Sequence, residues 1–268
     1  MSAVRATVAV WLPALLFGAG SGLEAQSGSD AARLTRIEAA IDSGRVETAR
    51  QELHQWFASR ELAARRDDMV RARFLRARLS QDADSARGEY LWVAIDGRSE
   101  YGAEAWLKLA QLSLMEGDPT RAELNLDRLR ADYPQSEMVS HSWLWSGLAR
   151  EASGDLDTAC EAWQTALREA GRAADGPEVA EATRAAMAGC TAGGLRLTVQ
   201  LGAFGEEPAA EALRARAATA GFDARIERDG ALFKVRVGIF GTVDAARTMV
   251  RRLESGGFTA LILAGDES

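Results

Sequence analysis

An internal repeat of 36 to 37 residues constrains the longest part of the chain more than any other feature. Four alanines mark it, spaced 37, 36 and 37 residues apart: Ala49, Ala86, Ala122 and Ala159. Five residues before them stand Gly44, Gln81, Gly117 and Gly154, and four residues after them stand Leu53, Tyr90, Leu126 and Trp163. A large apolar residue four positions after a small one lies on the same face of a helix. Each unit is therefore predicted to be a helix, a tight turn and a second helix whose small residue admits its neighbour.

The repeat predicts a mainly α solenoid over residues 30–190. A composition with only 5 prolines and 3 tyrosines also favours helix. The segment GRAADGP interrupts the pattern after the fourth unit, and Pro177 with Glu178 opens a last helix that should end near Ala188. We expect this helix to cap the stack.

The third and fourth units resemble the tetratricopeptide repeat (TPR). Trp106, Leu109, Ala110, Ala122 and Pro134 stand at that family's Trp, Leu, small, Ala and Pro positions. In the first two units Ile37 and Phe74 occupy the small-residue position of the first helix. Stacked repeats form one extended groove, so we expect the concave face to recruit an envelope protein that the sequence does not identify.

Five of the six tryptophans in the repeats allow two interpretations. They could form an aromatic box for a ligand, or they could be core residues between helices. Because three of them occupy repeat signature positions, the core interpretation is favoured for those three. The five are Trp56, Trp106, Trp143, Trp145 and Trp163. Those at signature positions are Trp106, Trp143 and Trp163.

A second repeat, with an offset of 36 residues, fills the C-terminal part of the chain from about residue 195 to 265. VQLGAF at 199–204 matches VRVGIF at 235–240, and Gly221-Phe222 matches Gly257-Phe258. Each half reads as strand, helix and strand, with helical spacing over 207–220 and 242–255. The order βαβ-βαβ predicts a small α+β domain: a four-stranded antiparallel sheet with both helices on one face and the first and third strands at its centre.

The period of two along the strands indicates which residues the other face presents. If Leu197, Val199 and Leu201 point towards the helices, the neighbouring side chains point outward. An amide beside two cations, with no nucleophile or acid–base pair, is a binding surface rather than an active site. The outward side chains are predicted to be Thr198, Gln200, Leu232, Lys234 and Arg236.

VQLGAF, GFDARI, LFKVRVGIF and GFTALI together resemble a sporulation-related (SPOR) domain over about residues 196–264. That family binds peptidoglycan glycan strands without stem peptides, which are enriched where amidases act at the septum. The resemblance implies a peptidoglycan-binding site formed by Thr198, Gln200, Ala203, Leu232, Lys234 and Arg236. Lys234 and Arg236 suit the lactyl carboxylate that removal of a stem peptide exposes. Ala203 and Ile239 stand where the family often has Ser and Pro.

The N-terminus has the order of an export signal over residues 1–25. Arg5 precedes an apolar run from Ala6 to Phe17, and small residues lead to Ala25. The run is shorter than the ~20 residues that span a bilayer. Cleavage after Ala25, with no stable membrane insertion afterwards, is the prediction, and a permanent anchor is the alternative. The mature protein should be periplasmic and enriched at the division septum.

The chain has two cysteines, Cys160 and Cys190. In an oxidising compartment they could form a disulfide, or they could be two buried thiols, since their separation in space does not follow from the sequence.

Charge and the placement of the histidines narrow the function classes. Residues 26–193 carry 21 basic and 28 acidic residues, and residues 194–268 carry 10 of each. Such a balance argues against a nucleic-acid partner. His54 and His141 lie inside repeats, away from a metal-ligand pattern, so neither a cofactor nor a catalytic site is expected. Two hypotheses remain: a peptidoglycan-binding protein whose repeats recruit a partner, and an envelope assembly or secretion scaffold whose last domain is structural or binds protein.

Overall fold

A computed structural model describes residues 20–96, 100–190 and 196–264 of the 268-residue chain, with side chains from Asp30 onward. Most of the predicted signal peptide lies outside these residues, as does the connection over residues 191–195. Within the described ranges, no helix combines the length and the apolar character that crossing a membrane requires. The chain divides into two compact units, with the boundary between Leu79 and Ser80.

From residue 20 onward, where its description begins, the first unit contains three helices: α1 (Gly20–Asp42), α2 (Val46–Arg60) and α3 (Arg66–Leu79). Their core contains Leu34, Ile37, Leu53 and Trp56, of which Leu34, Ile37 and Trp56 are fully buried. Ile37 stands at the position where the repeat family prefers a small residue, and it fills this core instead. The predicted cleavage position after Ala25 lies inside α1.

In the described residues between 80 and 190, the second unit begins with six helices of the repeat region. They are α4 (Ala83–Asp96), α5 (Glu100–Met115), α6 (Pro119–Asp132), α7 (Met138–Ser153), α8 (Leu156–Ala170) and α9 (Gly176–Ala186), followed by a 3-10 turn at Met187–Cys190. The last helix, α9, packs against α7 and α8.

Burial, backbone conformation and helix capping at the repeat positions agree with the residue types found there. All four signature alanines are buried, and so are the four large residues that follow them. Gly117 and Gly154 end their helices with φ of +76° and +89°, a backbone conformation that glycine adopts without strain. Asp118 and Asp155 then cap α6 and α8 by accepting hydrogen bonds from backbone N–H groups three residues on. The predicted helical-repeat fold is confirmed.

Trp163 shows why its repeat position is part of the core. Its ring is fully buried, and its Nε1 donates to the Leu144 carbonyl at 3.1 Å. Gly147 on α7 makes room for it, since a Cβ there would lie 2.2 Å from the Trp163 Nε1. Trp106 is also buried, whereas the Trp143 ring is partly exposed and stacks under the Arg130 guanidinium at 4.1 Å.

The C-terminal domain is the predicted four-stranded antiparallel sheet. Its elements are β1 (Leu197–Phe204), α10 (Glu207–Thr219), β2 (Ala224–Asp229), β3 (Leu232–Phe240), α11 (Val243–Ser255) and β4 (Leu261–Ala264). The strand order is β2-β3-β1-β4, which places β1 and β3 at the centre as predicted. Val199, Val235 and Val237 pack with Ala210 and Met249 of the helices in one core.

Cys160 on α8 and Cys190 at the end of the 3-10 turn form a disulfide, with their Cα atoms 5.6 Å apart. Of the two alternatives that the sequence left open, the structure has the disulfide. The bond holds the end of the repeat region against α8, immediately before the connection to β1.

Candidate binding face on the C-terminal sheet

The face of the sheet that points away from α10 and α11 is organised in rows across the strands. In one row Arg225 on β2, Arg236 on β3, Gln200 on β1 and Leu261 on β4 are direct partners. In the next row Glu227 stands beside Lys234, and Lys234 stands beside Ala203. Leu232 and Asp229 form a third row at the end of the sheet. We call this surface the polar sheet face.

The structure brings Gln200, Lys234 and Arg236 together on this face. A register shift in β1 between Gln200 and Gly202 lies beside them, so the alternation of side chains resumes at Ala203 rather than at Gly202. For this reason Ala203, which is exposed, stands opposite Lys234 on the polar sheet face.

Carboxylates pair with the cations of the face. Lys234 donates a hydrogen bond to Asp229. This hydrogen bond, together with the positive charge of Lys234, lowers the pKa of the Asp229 carboxyl below its ordinary value. Arg236 donates to Glu227, which also accepts from the Arg225 Nε at 2.6 Å. Three cations and two carboxylates leave the face with one excess positive charge.

Two of the predicted outward residues are buried, which corrects the expectation that they are accessible. Thr198 is 1% exposed and Arg236 is 4% exposed. The Thr198 hydroxyl donates to the Gly238 carbonyl at 2.9 Å. The Arg225 guanidinium donates to the Thr198 hydroxyl at 3.3 Å and to the Gly238 carbonyl at 3.2 Å. Neighbouring side chains of the same face therefore surround these two, and a ligand would meet Arg225 before Thr198.

Two apolar residues flank the charges. Leu232 is 43% exposed, and Leu261 is 61% exposed directly beside Gln200. The sequence prediction missed both Leu261 and Arg225. Alternation in β2, where Ala224 and Ile226 join the core, could have identified Arg225 as outward-pointing.

The Gln200 amide has unused hydrogen-bonding capacity. Its Oε1 is buried and has no hydrogen-bond partner among the described residues, and a buried acceptor of this kind is unusual in folded proteins. Gln200 and the neighbouring cations therefore suit a ligand that combines N–H or O–H donors with a carboxylate. Within the described ranges, no group of three or more His, Cys, Asp or Glu side chains is placed to hold a metal ion.

These features define a class of protein in which helical repeats precede a small α+β binding domain. The SPOR domain family matches residues 196–264, and the tetratricopeptide repeat family matches residues 104–136. Residues 196–264 of this chain therefore belong to the SPOR domain family, and tetratricopeptide-like repeats precede them.

The C-terminal domain is similar to domains of known structure. One such structure is the solution structure of the peptidoglycan binding domain of the B. subtilis cell wall lytic enzyme CwlC, with 32% sequence identity. The match covers 28% of this chain and 96% of that one, with a TM-score of 0.27. No curated protein matches the chain.

Proposed function

We propose that this protein is a non-catalytic envelope protein that binds peptidoglycan through the polar sheet face. The observation that supports the proposal most directly is the SPOR domain itself, whose central strands bring Gln200, Lys234 and Arg236 together. The favoured ligand is the glycan strand without stem peptides, since it offers sugar hydroxyls, acetamido groups and free lactyl carboxylates.

Lys234 is the residue through which a lactyl carboxylate would bind. Its partner Asp229 has a side chain that is 62% exposed, so a ligand carboxylate can replace it without leaving a buried charge. Arg236 is less available, because its guanidinium is nearly fully buried beside Glu227. In this proposal Arg236 and Arg225 supply positive potential, and Lys234 forms the direct contact.

The apolar residues supply the second part of the site. Leu232 and Leu261 are exposed on either side of the charged rows, and each provides a surface on which the C–H face of a sugar ring can pack. Gln200 lies between them, and its buried Oε1 would accept from an acetamido N–H once the amide rotates towards the ligand.

The intact chain tests this assignment by co-sedimentation with amidase-treated sacculi. Lys234→Ala should weaken binding by about tenfold or more, since a hydrogen bond to a charged group contributes roughly 1.5–3 kcal/mol. Arg214→Ala is the matched control. It removes an exposed cation that is also paired with a carboxylate, but on α10 behind the sheet. Equal binding by the two variants would contradict the site.

The repeats, in this proposal, recruit a protein partner. The tetratricopeptide match over residues 104–136 supports this function, because such repeats commonly act by binding proteins. Export, a periplasmic location and a role in division belong to the same proposal and are supported by the N-terminal sequence and by the SPOR domain.

The alternative is an envelope scaffold whose SPOR domain is structural or binds protein. Its support is that the cations Lys234 and Arg236 have carboxylate partners within the domain. A parent chain that fails to sediment with treated sacculi would favour this alternative.

A further inference from the structure

The SPOR domain contacts the last repeat through its backbone. The turn between α7 and α8 meets β3, where the Ile239 N–H donates to the Gly154 carbonyl at 2.7 Å. The Ile239 side chain packs against the apolar cluster of the last repeat, which includes Leu156 and Trp163.

Glycines on both sides allow the two backbones to approach. A Cβ on Gly154 would lie 2.6 Å from the Gly238 Cα, and a Cβ on Gly189 would lie 2.4 Å from the Gly241 Cα. The first pair joins the α7–α8 turn to β3. The second joins the 3-10 turn of the repeat region to the start of α11. Any larger residue would force the backbones apart.

Glu151 adds a polar contact between the same two parts. It lies near the end of α7, is 6% exposed, and its Oε1 accepts from the Gly241 N–H at 3.2 Å and the Thr242 hydroxyl at 3.3 Å. Thr242 is the N-cap of α11, so the carboxylate lies at the positive end of that helix. Arg252, further along α11, donates to the Ala152 carbonyl at 3.2 Å.

The disulfide fixes the position from which the connection departs. Cys190 directly follows Gly189, and its bond to Cys160 holds this turn against α8. The backbone pairing, the glycine contacts, the Glu151 carboxylate and the disulfide thus act on one small region.

We propose that the last repeat and the SPOR domain form one rigid body, so that the polar sheet face has a fixed direction relative to α7, α8 and α9. Glu151 is a positioning residue in this arrangement. A ligand on the sheet and a partner on these repeat helices are then held at a set distance and angle. The proposal does not depend on which ligand the sheet binds.

Amide ¹⁵N relaxation of the intact chain tests the proposal, since it reports the rotational correlation time of each part. In the parent, residues 138–190 and 196–264 should share one correlation time. Gly189→Ala introduces the Cβ that meets Gly241, at a position where the glycine φ is not in the left-handed region. Loss of the shared correlation time is expected, with residues 196–264 tumbling faster. Gly88→Ala is the control, because a Cβ there meets nothing within 4 Å.

Glu151→Lys is the second variant. It places a cation at the N-terminus of α11 and should release the domain in the same way, whereas Glu151→Gln keeps the acceptor oxygen and should retain the shared correlation time. Different correlation times for the two parts in the parent would overturn the proposal. A shared correlation time that persists in both Gly189→Ala and Glu151→Lys would also overturn it. If Gly189→Ala loses the dispersed amide signals of a folded SPOR domain, the result with Glu151→Lys decides.

Discussion

Replacing Arg236 and Lys234 one at a time by alanine should separate a structural cation from a ligand-binding one. Arg236 is 4% exposed and donates to Glu227, so Arg236→Ala removes a nearly buried charge-assisted hydrogen bond. Such a bond contributes roughly 1.5–3 kcal/mol. The larger cost of leaving a carboxylate unpaired in the interior does not apply, because Glu227 is 35% exposed and keeps Arg225 as a partner.

We therefore expect Arg236→Ala to lower the free energy of unfolding of the SPOR domain by about 1.5–3 kcal/mol. Lys234→Ala should lower it much less, because its ion pair with Asp229 lies at the surface. Hydrogen exchange of the amides in residues 196–264 of the intact chain measures both values. The reasoning is refuted if Arg236→Ala destabilises the domain no more than Lys234→Ala does.

Three further predictions concern the contact region, the disulfide and the N-terminus. Burial raises the pKa of the Glu151 carboxyl, although the hydrogen bonds from Gly241 and Thr242 act to lower it, so the docked form should be most stable below about pH 4.5 and should lose part of that stability as the pH rises through the raised pKa. ¹⁵N relaxation should show this pH dependence in the parent and not in Glu151→Gln, and identical profiles would contradict it. Reducing the disulfide between Cys160 and Cys190, whose sequence separation is 30, should lower the free energy of unfolding of the repeat region by about 3–4 kcal/mol, as measured by urea denaturation. An unchanged urea midpoint would argue against a stabilising role. Edman sequencing of the envelope protein should begin at Gln26, and a sequence that began at Met1 would reject export with cleavage.

The repeat architecture could be predicted from the sequence because its signals are local. Ala122 and Leu126 lie one helical turn apart, and Gly117 marks the turn before them, so one short segment contains the information for one unit. The structure buries both residues and gives Gly117 the left-handed backbone conformation.

The polar sheet face could be predicted only in part. Period-two alternation placed Gln200 and Lys234 on one face correctly, but the register shift beside Gln200 and the burial of Arg236 depend on three strands at once. Arg236 is covered because Arg225 and Glu227 on β2 meet it, and single-strand periodicity contains no information about those neighbours.

The contact between the last repeat and the SPOR domain could not be predicted at all. Glu151 and Gly241 are 90 residues apart in the sequence, and neither belongs to a recognisable motif. The sequence pattern indicates Gly154 only as the turn of its own repeat. Its second role, as a close backbone contact for Gly238, depends on the position of another domain.

The most direct test of the central claim compares binding of the intact parent chain to sacculi before and after amidase treatment. Treatment removes stem peptides and exposes lactyl carboxylates, so the proposal predicts tighter binding to treated sacculi. It also predicts that this preference decreases with increasing salt, as expected for a contact between exposed charges. Equal or weaker binding to treated sacculi would contradict recognition of stripped glycan strands by the polar sheet face.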